Sequence, residues 1–153
     1  MSLKNLSAKI RIPKLLKDKL KNKRVLKIYN KFEKSLDVNE KFAVAVSGGP
    51  DSLALAFLAK IYSLKRKLSS KFLIVDHKLR PESTKEAKIV KRILQKKMIF
   101  SEILTWNGKK PIKNIQSKAR IKRYELLYRK CNKLNIDNIL LGHHQDDLIE
   151  NFF

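Results

Sequence analysis

Short apolar runs recur along the chain, each closed by a polar tail and followed by apolar positions three and four residues apart. The clearest run is Phe42 to Val46, which has the length and valine content of a buried parallel strand. Ser47-Gly48-Gly49-Pro50-Asp51-Ser52 follows it, and Leu53, Leu55, Ala56, Leu58 and Ala59 then set a helix from about Pro50 to Leu64. Phe72 to Val75 predicts a second strand, and Ala87, Val90, Ile93, Leu94 and Met98 an amphipathic helix after it. Ser83 with Glu86 three residues on reads as the capping box of that helix. Ile99 to Trp106 predicts a third strand, ended by Asn107-Gly108. A helix from about Ile115 to Asn132 follows, with Ala119, Tyr124, Leu127, Tyr128 and Cys131 on or near its buried side. Ile139 to Leu141 predicts a fourth strand, and a last helix begins around Gln145. Upstream, Val25, Ile28, Tyr29, Phe32 and Leu36 place a helix near Lys23–Ser35. Met1 to Lys23 is patterned weakly and is broken by Pro13, as in a basic arm or a short surface helix.

Strands alternating with helices predict an α/β fold with a doubly wound parallel sheet. The pattern divides the chain into a basic extension with its helix, residues 1–40, and an α/β domain, residues 41–153. Ligands in such sheets sit beyond the carboxyl ends of the strands. Three polar tails are therefore expected to converge there: SGGPDS, DHKLRPES and GHHQDDLIEN.

The tails carry the candidate chemistry. A strand, a glycine turn and a helix start make an anion site, because the first N–H groups of a helix lack intrahelical partners and the dipole is positive there. Gly48 and Gly49 let an anion approach the backbone, Pro50 suits the first helical position, and Ser47 and Ser52 offer hydroxyls. Asp51 is placed to hold a cation such as Mg²⁺ or to cap the helix. The loop lacks the Lys-Ser/Thr pair of a Walker A motif. Gln116, Arg120 and Arg123 share a helical face, suited to phosphate or carboxylate or simply to water. Asp147 and Glu150, at i and i+3, could hold an amine or a metal, or complement the helix dipole. His143 and His144 point to opposite sides of an extended tail, which disfavours a shared metal; His77 could lean on a base or fill space.

Charge adds a partner class. With 36 Lys and Arg against 14 Asp and Glu, the 153-residue chain carries +22, which calls for a polyanionic partner. Cys131 is the single cysteine, so an internal disulfide and a paired-cysteine metal or persulfide site are excluded within these residues. No apolar run approaches a membrane span, and no secretory signal is evident. A cytoplasmic enzyme is the expectation, with an organelle-targeting peptide within Met1 to Leu26 the alternative.

The hexapeptide resembles the pyrophosphate loop of the ATP-pyrophosphatase superfamily. The ordered set AVSGGPDSLAL, VDHKLRPES, ARIKRYELL and LGHHQDDLIEN resembles, over about Lys41 to Phe153, the N-terminal domain of the tRNA(Ile)-lysidine synthetases. That resemblance implies a Rossmann-like, adenine nucleotide α-hydrolase-like three-layer sandwich, here incomplete at its C-terminus. It implies that ATP adenylates the C2 carbonyl oxygen of the wobble cytidine (position 34) in tRNA(Ile) with a CAU anticodon. Free L-lysine then displaces AMP. Ser47, Gly48, Gly49, Pro50, Asp51 and Ser52 match the pyrophosphate loop, and Val75, Asp76 and His77 the segment bordering adenine. Arg120 and Arg123 match basic residues near the reacting centre, and Asp147 and Glu150 the acidic residues that receive the lysine amine. Mg²⁺ at Asp51 accompanies the ATP, and a homodimer is left open. Asn151 stands where the family often has threonine. The alternatives are another adenylating enzyme of the same loop class, acting in tRNA thiolation or small-molecule amidation, or an inactive basic fragment that binds nucleic acid.

Overall fold

The computed structural model describes residues 12–142. Its elements in chain order are α1 (Lys14–Leu20), α2 (Lys23–Ser35), β1 (Phe42–Ala45), α3 (Pro50–Arg66), β2 (Ser70–Asp76), α4 (Ser83–Gln95), β3 (Ser101–Thr105), α5 (Ile115–Lys133) and β4 (Asn138–Leu141). The strands form one all-parallel sheet in the order β3-β2-β1-β4. This is a doubly wound α/β architecture. The helix expected from Gln145 lies outside the described residues.

Alternation along the strands sorts the layers. Phe42, Val44, Phe72 and Ile74 pack with the buried faces of α3 and α4, whereas Ala43 and Leu73 pack with Leu127 and Cys131 of α5. The handedness of parallel crossovers explains the split. β1 to β2 to β3 runs one way across the sheet, so α3 and α4 cover one face. The return to β4 runs the other way, so α5 covers the opposite face. Neighbouring β1 and β4 part their connections at this point, opening the crevice in which such sheets bind ligands.

The weakly patterned N-terminal stretch contributes a helix after all. Leu16 of α1 and Tyr29 of α2 are almost wholly buried in the same core as β1 and α3. Asn22 caps α2, its side chain accepting from the N–H groups of Arg24 at 2.9 Å and Val25 at 3.3 Å. Tyr29 donates to Glu33 at 3.0 Å, and Lys65 of α3 reaches the other oxygen of Glu33 at 3.0 Å while lying 4.7 Å from the centre of the Tyr29 ring. This partly exposed pair orients α2 on α3 more than it stabilises it.

Tyr62 is the polar pin of that core. Its ring meets Phe32 and Phe42 edge to face, at 6.1 and 6.2 Å between centroids. Its hydroxyl donates to the Val38 carbonyl at 2.8 Å. Tyr62→Phe keeps the rings and strands that buried carbonyl. The expected cost is about 1–3 kcal/mol, read as a lower denaturant midpoint with an unchanged slope.

Three local expectations are corrected. α4 ends at Gln95, and Met98 lies beyond it, exposed and with φ of 60°. Tyr128 on α5 is also exposed, while Leu127 and Cys131 carry the buried side. The capping box does not form: Glu82 occupies the cap position without a side-chain cap bond. Ser83 turns its hydroxyl to Asp76 at 2.7 Å, and Glu86 pairs with Arg80 at 3.0 Å. The Ser83 hydroxyl donates to a buried carboxylate, and this charge-assisted bond fixes the side chain toward β2 instead of over the first-turn N–H groups.

Candidate functional site

The carboxyl ends of β1, β2 and β4 enclose a cavity of about 210 Å³. Ser47, Ser52, Val75, His77, Arg123 and Gly142 are among its walls. The SGGPDS loop forms one side and is held by a single hydroxyl. Ser52 Oγ accepts from the Gly48 N–H at 3.0 Å and from Ser47 Oγ at 3.1 Å, and donates to the Gly49 carbonyl at 2.9 Å. Gly48 has φ of 96°, and a Cβ there would collide with Val90 Cγ2 of α4. The loop backbone thus lies against α4 as only glycine allows. Gly49 caps α3 and Pro50 opens it, so the first-turn N–H groups sit beside the cavity wall. At the end of β4, Gly142 is so close to α3 that a Cβ would lie 3.0 Å from Ser52 Cα.

Asp76 has a different setting from that of a ligand-facing group. It is 2 % exposed, and Oδ1 accepts from the Lys78 N–H at 3.0 Å and Ser83 Oγ at 2.7 Å, while Oδ2 accepts from Thr84 Oγ1 at 2.6 Å. Burial works to raise its carboxyl, but the Thr84 and Ser83 hydroxyls, the Lys78 N–H and the Lys78 charge outweigh it and hold it below the usual carboxylate value. Its position fastens the start of α4 to the tip of β2, and with it Leu79, Arg80, Ser83 and Glu86 of the cavity rim.

His77 lines the cavity, and its buried Nδ1 has no hydrogen-bond partner within the described residues. Burial and the Arg123 charge push the imidazole below its ordinary value, with Asp76 opposing them. The ring is therefore neutral near pH 7 and offers one nitrogen to a ligand.

The residues singled out from the sequence separate here. Ser47, Ser52, Val75, His77 and Arg123 share the cavity wall. Asp51 is exposed in the first turn of α3, off that wall. Arg120 is likewise off the wall, its guanidinium 5.6 Å from the Tyr124 ring centre; Arg123 lies 5.3 Å from the same ring. Tyr124 as a platform between two arginines escaped the sequence reading, although Arg-x-x-Arg-Tyr spacing on a helix could have suggested it. Thr84 and Ser83 as anchors of Asp76 had no local signal. Asp147 and Glu150, with His143, His144 and Asp146, lie outside the described residues.

Cys131 lies on the buried face of α5, its thiol pushed up by that burial. Among the described residues no group of three or more His, Cys, Asp or Glu could hold a metal ion. No described helix is long and apolar enough to cross a membrane.

Comparison with known proteins agrees with this geometry. A family profile described as the PP-loop domain matches residues 18–153. Curated tRNA(Ile)-lysidine synthases are similar: that of Orientia tsutsugamushi at 44% identity over 119 residues, covering 78% of this chain and 27% of the relative. That of Bartonella henselae is 41% identical over 115 residues, covering 74% and 23%. That of Rickettsia bellii is 37% identical over 131 residues, covering 82% and 30%. The chain thus spans less than a third of these relatives' length. Among solved structures, the U34-tRNA thiolase NcsA from Methanococcus maripaludis, with its 4Fe-4S cluster, superposes with a TM-score of 0.67 at 22% identity, covering 82% of this chain and 48% of that one, and shares the fold.

Proposed function

The chain belongs to the PP-loop domain family, and on that premise we propose that it is the ATP-cleaving part of an enzyme that forms lysidine on tRNA(Ile). The observation that carries the reading is the cavity at the parting of β1 and β4, with the SGGPDS loop on one side and Arg123 on another. The lysidine synthase names of several relatives supply the substrate.

In this reading residues 41–153 form the nucleotide-handling unit, and α1 and α2 pack behind it. ATP places its pyrophosphate on the Ser47–Ser52 loop, where backbone N–H groups and the start of α3 stabilise charge on the leaving group. Gly48, Gly49 and Pro50 keep that backbone accessible. Val75 and His77 border the base, with His77 Nδ1 left for a hydrogen bond, and Asp76 positions that rim without touching the nucleotide. The wobble cytidine's C2 oxygen attacks the α-phosphorus, the bond to the β-phosphate oxygen breaks, and pyrophosphate leaves. The amine of free L-lysine then bonds to C2, loses a proton and expels AMP. Arg123 neutralises charge at the phosphorus, and Arg120 extends that positive surface toward the RNA. Asp147 and Glu150 receive the lysine amine.

Among the described residues no metal cage is formed, and Asp51 of the loop is one carboxylate. Asp51 would hold a Mg²⁺ that arrives with the triphosphate. Bound so, the ion would screen the departing pyrophosphate. A thiolation reading lacks support, because Cys131 is the single cysteine within these residues and is buried on the inner face of α5.

The test is AMP release by the whole gene product. It is expected to require ATP, lysine and a CAU-anticodon tRNA(Ile) together, with lysine incorporated into the tRNA. Release without lysine incorporation would reject the reading. Asp147→Asn and Glu150→Gln should each raise the lysine requirement roughly 10- to 100-fold, as loss of a charge-assisted contact does, with the ATP requirement unchanged. A shift in the ATP or Mg²⁺ requirement instead would assign these carboxylates to the metal.

A further inference from the structure

Trp106 and the basic loop after it have no part in the cavity chemistry. From Thr105 to Tyr124 the chain holds Lys109, Lys110, Lys113, Lys118, Arg120, Lys122 and Arg123, and no Asp or Glu. This stretch leaves the sheet at the ligand edge: the Trp106 N–H donates to the Asp76 carbonyl at 2.9 Å, continuing the ladder past β3. A second cavity, of about 270 Å³, lies between the loop and α5, lined by Trp106, Lys109, Pro111, Lys118, Ile121 and Lys122.

The indole is held before any ligand arrives. Gly108 folds back against it so closely that a Cβ would collide with Trp106 Nε1. Lys78 donates to Asn107 Oδ1 at 3.3 Å, tying the turn to the tail of β2. A preset aromatic face loses little entropy on binding. Lys122 is paired with Glu125 at 2.7 Å, whereas Lys109 and Lys118 have no acidic partner among the described residues. On α5, Lys122 of this cavity is followed directly by Arg123 of the first.

From this juxtaposition we infer that the Trp106 cavity seats an unpaired nucleotide of an RNA strand, next to the base presented to the first cavity. Its π face takes the base, Pro111 and Ile121 give an apolar floor, and the lysines take the flanking phosphates. A second copy of this chain is disfavoured by a charge of +22 on each. The inference rests on the RNA substrate proposed above and adds the place where the strand is gripped.

Trp106 is the single tryptophan, so its fluorescence reports this cavity alone. The chain is titrated with a stem-loop RNA, the same sequence as a blunt duplex, inorganic polyphosphate, ATP, and vesicles containing phosphatidylglycerol. The stem-loop is expected to quench the indole saturably, and the other probes to leave it nearly unchanged. Trp106→Ala should weaken stem-loop binding roughly 5- to 100-fold, as for loss of one stacked base, without changing duplex binding. Trp106→Phe should recover most of it. Lys118→Ala should weaken all RNAs alike and flatten the salt dependence. Stem-loop binding without quenching, equal quenching by polyphosphate, or a response to vesicles alone would overturn the inference. Absence of quenching with lysine-dependent AMP release intact removes this surface and leaves the reaction; quenching without AMP release does the reverse.

Discussion

Gly48→Ala is expected to destabilise the fold by roughly 2–4 kcal/mol, combining a left-handed backbone penalty with overpacking, and to abolish the thermal stabilisation that ATP confers. The neighbouring change, Gly49→Ala, is expected to cost less than about 1 kcal/mol. At Gly48 an added methyl has φ of 96° to accommodate and meets Val90 Cγ2. Valine is stiff at χ1 and Val90 is buried on α4, so relief means moving the loop off the helix. The loop that moves is the one proposed above to receive the pyrophosphate. At Gly49 φ is −69°, and the nearest atom to an added Cβ is Ser47 Oγ at 3.9 Å. Adding Val90→Ala to Gly48→Ala should restore the overpacking part and leave the dihedral part. A double-mutant cycle on melting and on the ATP-induced shift in Tm separates the two. Equal costs at the two glycines would show that steric contact with α4 is not what Gly48 answers to.

Asp76→Ala should be the most damaging polar substitution, at about 3–5 kcal/mol, because it strands the Lys78 N–H and two hydroxyls in a buried turn. Asp76→Asn should be milder, since the amide keeps one acceptor oxygen. Both should weaken ATP binding, through release of the Leu79–Glu86 rim, without Asp76 touching the nucleotide. The pH dependence follows from the sign of the shift. The folded carboxyl lies below its ordinary value of 3.8, so its contribution is present above that value. It is lost as pH falls through 3.8 toward the folded value. Wild type should therefore lose stability relative to Asp76→Asn over that acid window, and the gap should be flat from pH 5 upward. A gap that persists unchanged into strong acid would mean that the carboxylate charge is not what the hydroxyls hold.

The order of elements was legible from periodicity alone. The apolar run Phe42–Val46, the helical spacing of Lys23–Ser35 and the alternation of strand with helix all act over a few residues. Those local patterns also placed SGGPDS at a strand end, where the sheet puts it. What periodicity could not decide was set by neighbours far away in sequence. Gly48 and Gly49 are equivalent in the sequence, and the folded loop, with φ of 96° at Gly48 and Val90 of α4 against it, makes one irreplaceable and leaves the other tolerant. Ser83 has the local look of a helix cap, but packing of α4 on β2 presents it with a buried carboxylate. Arg120 and Arg123 share a helical face by spacing, yet only Arg123 reaches the cavity wall. Leu16 sits in a stretch with too few periodic positions to predict burial, and the surface offered by α2 and α3 buries it. Local sequence determines which backbone conformation is cheapest over a turn or a strand. Which partner a side chain then takes is a competition among groups brought together only by the crossovers of the sheet.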